Sequence, residues 1–215
     1  AAGAVFHVDA AQAVGKVPMD VNAMQIDLLS LTGHKMYGPK GSGAIFVRKR
    51  TAIAPILVGG GQERGMRSGT LNVPGIVGLG AACEICRVEM AQESARLKLL
   101  RDRLLAGLQR ELGDVVVNGS LEHRLPNNLA VSFPGIDGES LLIAIRDIAV
   151  SSGSACASQS GVPSHVLRAI MGADPVPSAS IRFGLGRDTT DDEITYTIGK
   201  FASVVRHLKS TAPVR

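Results

Sequence analysis

With 215 residues, 45% of them hydrophobic, the chain can form one large domain or two small ones; at 3% aromatics and no Trp, its core must be aliphatic. The net charge of +4 is mild, and the signs are mixed along stretches such as RVEMAQESARLKLLRDR, so no nucleic-acid partner is expected. No window reads as a membrane span, the least charged stretch around 68–83 being broken by Gly and Pro, no signal peptide opens the chain, and three cysteines cannot complete a disulfide set, which favours a reducing, cytoplasmic setting.

The chain begins AAGAVFHVDA, without Met, and reads as one entered partway through a domain. AVFHVDA predicts a short buried strand ending at Asp9, IDLLSLTGHK a second with polar residues at its carboxyl end, and GAIFVRK a third. In α/β folds ligands collect at the carboxyl ends of parallel strands, where the Asp9 and Gly33-His34-Lys35 turns would lie. VGGGQERGMRSGT is a Gly-rich loop suited to close backbone approach.

From Ile76 the pattern turns helical, with Leu97, Leu100, Leu104, Leu108 and Leu112 marking one apolar face. DVVVNG and NNLAVSF then predict strands, GESLLIAIRD a helix and IAVS a strand. SHVLRAIM predicts a helix capped by Ser164, and ASIRFGLG a strand. Thr190 and Glu193 form a capping-box pattern ahead of a last helix whose face is Ile194, Ile198, Phe201, Val205 and Leu208. Residues 1–90 read as part of a larger α/β domain, and residues 91–215 as a small C-terminal α+β domain carrying the cysteine loop.

Several residues could carry chemistry. Lys35 follows an apolar strand and a Thr-Gly-His turn, a confined place for a cation; a lysine held there can lose its proton and form a Schiff base, although most lysines are merely solvated. GHKMYGPKG is not a phosphate loop, because Pro39 stands where that motif needs lysine. Asp9 could be a local cap; if a helical turn begins there it shares a face with Gln12, and its carboxylate could keep a pyridine nitrogen protonated. Thr32, His34 and Thr70 could donate to a phosphate. His7 reads as structural.

Cys83 and Cys86 spell C-x-x-C, but inside a helical stretch and with no second pair, so they read as structural thiols. Cys156 differs: VSSGSACASQSG surrounds it with Ser, Gly and Ala, and from Ser151 to Ser160 there is no large apolar anchor to offset the cost of ordering. An exposed thiol on a loop free to move is a liability unless it reacts. Arg182, in SIRFGLGR, is either half of a structural ion pair or a fork for a substrate carboxylate.

Five ordered motifs, FHVDAAQAVGK, SLTGHKMYGPKGSGA, GGGQERGMRSGT, VSSGSACAS and SIRFGLGR, resemble those of the cysteine desulfurases of iron–sulfur cluster assembly, and the resemblance runs over the whole chain. It implies the fold type I, class V aminotransferase-like architecture of pyridoxal 5'-phosphate enzymes and a homodimer. By the same resemblance Lys35 is the Schiff-base lysine, Asp9 the partner of the pyridinium nitrogen and Gln12 the donor to the ring hydroxyl. Thr32, in place of the family's usual serine, and His34 hold the phosphate, with Thr70 lent across the dimer interface. Arg182 clamps the carboxylate of L-cysteine. Cys156 is the nucleophile that takes the sulfur, leaves L-alanine and hands the sulfur to an acceptor protein such as an iron–sulfur scaffold. The long Ser-rich cysteine loop resembles the family's first group.

Two departures are evident. The family's chains carry a further stretch before this one, with another phosphate-binding turn, a His that stacks on the cofactor ring and an Asn near it; none is in this sequence. The chain ends STAPVR, without an evident scaffold-gripping tail. Two rival readings stay open: a selenocysteine-directed lyase or another enzyme on this fold, and, for the chain alone, a catalytically incomplete binding or dimerisation module.

Overall fold

A computed structural model describes residues 3–152, 164–172 and 177–211. They form two compact units, Ala1–Glu93 and Ser94–Arg215. The Cys156 loop lies outside the described residues.

The first unit is built on a three-stranded sheet in the order β1 (His7–Asp9), β2 (Leu28–Thr32), β3 (Gly43–Val47). β1 and β2 run parallel, with Asp9 opposite Ser30; β2 and β3 run antiparallel, with Thr32 opposite Gly43. Ala10, Ile26 and Leu29 are buried beneath Val8, Val14, Val21 and Phe46. The expectation of a buried first strand is corrected. AVFHVDA does yield a strand ending at Asp9, but His7 and Asp9 are exposed, as are Val5 and Phe6. Among the described residues β1 pairs on one side only, with β2, so its apolar residues lack the neighbours that would cover them.

α1 (Val73–Leu112) runs from the first unit into the second. It starts three residues before the apolar pattern does, because Asn72 Oδ1 accepts from the Gly75 N–H at 3.2 Å and Pro74 falls in the first turn, where its missing donor costs nothing. Met36, Leu79, Ala82 and Cys86 form a second buried cluster in the first unit.

The second unit holds an antiparallel sheet in the order β4 (Val116–Val117), β5 (Asn128–Ser132), β7 (Ser180–Gly184), β6 (Ser151–Ser152). The strand expected at IAVS is paired only over its last residue and Ser152. One core joins Leu97, Leu100, Leu104 and Leu108 of α1 to Leu129 and Val131 of β5, Ile181 and Phe183 of β7, and Ile194, Ile198, Phe201 and Val205 of α4 (Asp191–Thr211). The Phe201 ring sits 5.5 Å from that of Phe133 and 5.1 Å from that of Phe183, so three of the five phenylalanines meet at the centre of this unit. α2 (Gly138–Ala144) and α3 (His165–Met171) are short and are capped by Asp137 and Ser164. No helix among the described residues is long and apolar enough to cross a membrane.

The capping box at α4 is formed in both directions: the Thr190 N–H donates to Glu193 Oε2 at 2.8 Å, and the Glu193 N–H donates to Thr190 Oγ1 at 3.2 Å. Thr190→Ala is expected to lower unfolding free energy by about 1 kcal/mol, read as a shifted denaturation midpoint with unchanged slope. An unmoved midpoint would mean the box is dispensable.

Candidate active site

Because β1 and β2 are parallel neighbours, their carboxyl ends share one edge of the sheet. Asp9 ends β1 and Thr32 ends β2, two residues beyond Asp9's partner. Asp9 is exposed; its Oδ1 accepts from the Ala11 N–H at 2.9 Å, which is the local capping role, and its other oxygen has no partner among the described residues. Gln12 is exposed in the turn that follows, which is closed by bonds from Ala13 and Val14 N–H to Ala10 O.

β2 runs straight into a single 3-10 turn, Gly33–Met36. Gly33 and Met36 are buried; His34 and Lys35, between them, are exposed. Only glycine fits the first position, since a Cβ at Gly33 would lie 2.8 Å from Ser42 Oγ and 3.0 Å from Pro39 O. Thr32 Oγ1 is 2.9 Å from His34 Nδ1, which sets a hydroxyl and an imidazole side by side. Lys35 makes no hydrogen bond or ion pair among the described residues. The confined setting expected for it is therefore corrected: its neighbours turn inward and hold the turn, while its own side chain points to solvent.

Sequence reasoning missed a buried ion pair beside this turn, capped by the part-exposed Tyr37. Lys16 and Glu93 side chains are 4% and 9% exposed, and Lys16 Nζ donates to Glu93 Oε1 at 2.7 Å. Lys16 Nζ also donates to Tyr37 Oη at 3.0 Å and lies 4.2 Å from the Tyr37 ring centre, while Tyr37 Oη donates to Glu93 Oε1 at 3.1 Å. Burial alone would pull the Lys16 ammonium down, but Glu93 and Tyr37 outweigh it and hold its pKa above the ordinary lysine value. On the Lys16 side the charge therefore stands at neutral pH and is lost as alkaline pH passes the raised value. The one sequence-level sign was a lysine set in the apolar run AVGKV.

The Gly-rich loop closes on itself: Gln62 Oε1 accepts from Gly69 N–H at 2.9 Å and Ser68 Oγ from Gly61 N–H at 3.3 Å. Glu63, Arg64 and Gly65 are consecutive left-handed residues, a costly conformation outside glycine. Thr70 follows, exposed and without a hydrogen bond among the described residues. Cys83 is exposed on α1, whereas Cys86 is part of the core with Met36; neither is in a disulfide.

In the second unit Arg182 lies on β7 between the buried Ile181 and Phe183, so strand alternation turns it to the opposite face. Its register neighbours are Ala130 on β5 and Ser151 on β6, both small. The guanidinium is exposed and in no ion pair among the described residues. Arg96 anchors the turn after β7, donating to Thr189 O at 2.7 Å and Arg187 O at 2.6 Å. Cys156, four residues past β6, lies outside the described residues.

A carboxylate, an uncommitted amine and a hydroxyl beside an imidazole thus stand at the carboxyl end of this sheet, with the amide of Gln12 in the turn that follows β1. The sequence profile of the aminotransferase class-V family matches residues 1–196. The chain belongs to the aminotransferase class-V family. A relative of this class-V chain, the cysteine desulfurase IscS of Anaeromyxobacter sp. (strain K), is 54% identical over 215 residues, 99% of this chain and 53% of that protein. The cysteine desulfurase of Homo sapiens is 51% identical over 211 residues, 97% of this chain and 46% of that protein. A solved NifS-like protein superimposes with a TM-score of 0.82 at 36% identity, covering 95% of this chain and 53% of its own. The chain spans about half the length of the curated relatives it matches. Its fold is the α/β fold type I of the class-V enzymes.

Proposed function

We propose that these residues belong to a pyridoxal 5'-phosphate-dependent cysteine desulfurase, which converts L-cysteine to L-alanine and passes the sulfur to its own Cys156 for iron–sulfur cluster assembly. One observation carries the reading: Asp9, Thr32, His34 and Lys35 stand at one edge of two parallel strands, with Lys35 and the second Asp9 oxygen uncommitted. The donor set fits the cofactor. Lys35 would hold its aldehyde carbon, Asp9 its pyridinium nitrogen, Gln12 its ring hydroxyl, and Thr32 and His34 its phosphate. When bound, the cofactor supplies an electron sink for the substrate's α-carbon.

Arg182 grips the α-carboxylate of L-cysteine with its planar fork, for which an exposed guanidinium flanked by small residues is suited. Lys35 Nζ would take the proton from the substrate α-carbon. The Cys156 thiolate attacks the substrate sulfur; the carbon–sulfur bond breaks, its electron pair stays with the β-carbon and takes up a proton there, and Lys35 returns its own proton to the α-carbon to complete alanine. Cysteine plus one thiol thus gives alanine plus one persulfide, with no external oxidant. The persulfide then passes to an acceptor such as an iron–sulfur scaffold protein.

Thr70 serves the phosphate of a second copy in a homodimer. The segment leading to its loop supports this, since Ile56 is 94% and Val58 80% exposed, apolar surface of the kind an interface covers. A cytoplasmic setting follows from the few cysteines.

The full-length protein, supplied with the cofactor and L-cysteine, is expected to release alanine. Arg182→Ala should raise the apparent cysteine constant roughly tenfold to a hundredfold and leave cofactor loading alone. No alanine from the unmodified protein would overturn the reading; an unchanged cysteine constant in the variant would remove Arg182 from it.

A further inference from the structure

We propose that Lys16, Tyr37 and Glu93 are positioning residues for Lys35, clamping the turn that carries it to the turn that follows Asp9. This rests on the reading of Lys35 as the lysine that holds the cofactor.

The cluster joins three segments. Lys16 ends the turn seven residues after Asp9, Tyr37 comes two residues after Lys35, and Glu93 projects from α1. Tyr37 closes the 3-10 turn in a left-handed conformation, φ 64° and ψ 15°, with its N–H donating to Gly33 O. A bulky non-glycine residue holds that conformation only where its surroundings fix it. Here its hydroxyl meets both charges and its ring lies beneath the ammonium. Each charge is about nine-tenths or more buried, so separating the pair costs more than it would at the surface. The Arg87–Glu84 pair, equally short at 2.6 Å but largely exposed, carries no such constraint. Met36 is locked from the other side by Leu79, Ala82 and Cys86. Lys35 thus projects from a turn held at both ends.

A role confined to stability would change unfolding and nothing at the Lys35 amine. The test uses the cofactor-free full-length protein, to which pyridoxal 5'-phosphate is added. Three readouts are followed: the rate at which the visible band of the lysine-bound cofactor forms, the midpoint pH of that band, and the thermal midpoint. Tyr37→Phe removes only the hydroxyl; the Lys16→Met, Glu93→Leu double variant removes both charges of the pair together. Both are expected to slow band formation, Tyr37→Phe by about fivefold, the worth of one hydrogen bond, and to displace the midpoint pH. Should the double variant fail to fold, Tyr37→Phe decides alone. Unchanged rate and midpoint pH would overturn the positioning role. Lys35→Ala, run alongside, separates the two ideas: a band persisting there defeats the Lys35 reading itself, while its absence, with Tyr37→Phe unaffected, defeats only the clamp.

Discussion

Lys35→Ala in the full-length protein is expected to abolish the visible band of the bound cofactor and to cut turnover by at least about a thousandfold. The amine is asked to do two things: hold the cofactor and move a proton at the substrate α-carbon. Positioned proton transfer alone contributes about 10²–10⁴ in rate, and alanine supplies neither function. Loss of the fold is not the expected route, because Lys35 is exposed and makes no hydrogen bond or ion pair among the described residues. The turn is held by the buried Gly33 and Met36 and by Tyr37, all untouched. A lysine adduct still reducible by borohydride in this variant would show that another amine does the work.

Cys156→Ser is expected to bind L-cysteine and the cofactor as before and to release no alanine above background. A serine hydroxyl cannot take up the substrate's sulfur, while Lys35, Asp9 and Arg182 remain in place. The other two cysteines give contrasting controls. Cys83 is exposed on α1, and Cys83→Ser should leave turnover unchanged. Cys86→Ser puts a hydroxyl among Met36, Leu79 and Ala82; it is expected to cost about 1–3 kcal/mol of stability while turnover persists. Alanine release by Cys156→Ser at the unmodified rate would remove the thiol from the chemistry.

Much of the fold was written locally. The leucines from Leu97 to Leu108 and the face from Ile194 to Val205 each repeat at helical spacing, and both are buried in one core. The Thr190–Glu193 box needs only four consecutive residues, and it forms as the spacing implies. The start of α1 was equally local but overlooked: Asn72 and Pro74 are a cap and a first-turn proline, yet a Pro-Gly pair reads more readily as a loop.

What failed to show in the sequence depends on neighbours distant along the chain. AVFHVDA has a buried strand's composition, but burial is decided by which strands flank it, and β1 has one partner among the described residues. The same holds at Lys35, where an apolar run before the turn says nothing of what covers the turn from above. Which face Arg182 takes was equally hidden, since it depends on strand alternation beside the buried Ile181 and Phe183. The Lys16–Glu93 pair spans 77 residues and follows no periodic pattern, so no local rule points to it. The roles given to Gln12 and Thr70 rest on the resemblance, since the structure contributes only their exposure.

One thiol of this chain, Cys156, is expected to receive the sulfur of L-cysteine. The direct measurement is peptide mass mapping of the full-length protein quenched shortly after a pulse of L-cysteine. A mass gain of one sulfur atom on the peptide containing Cys156, absent from Lys35→Ala, is the predicted result. A persulfide on Cys83 or Cys86, with Cys156 unmodified, would contradict it.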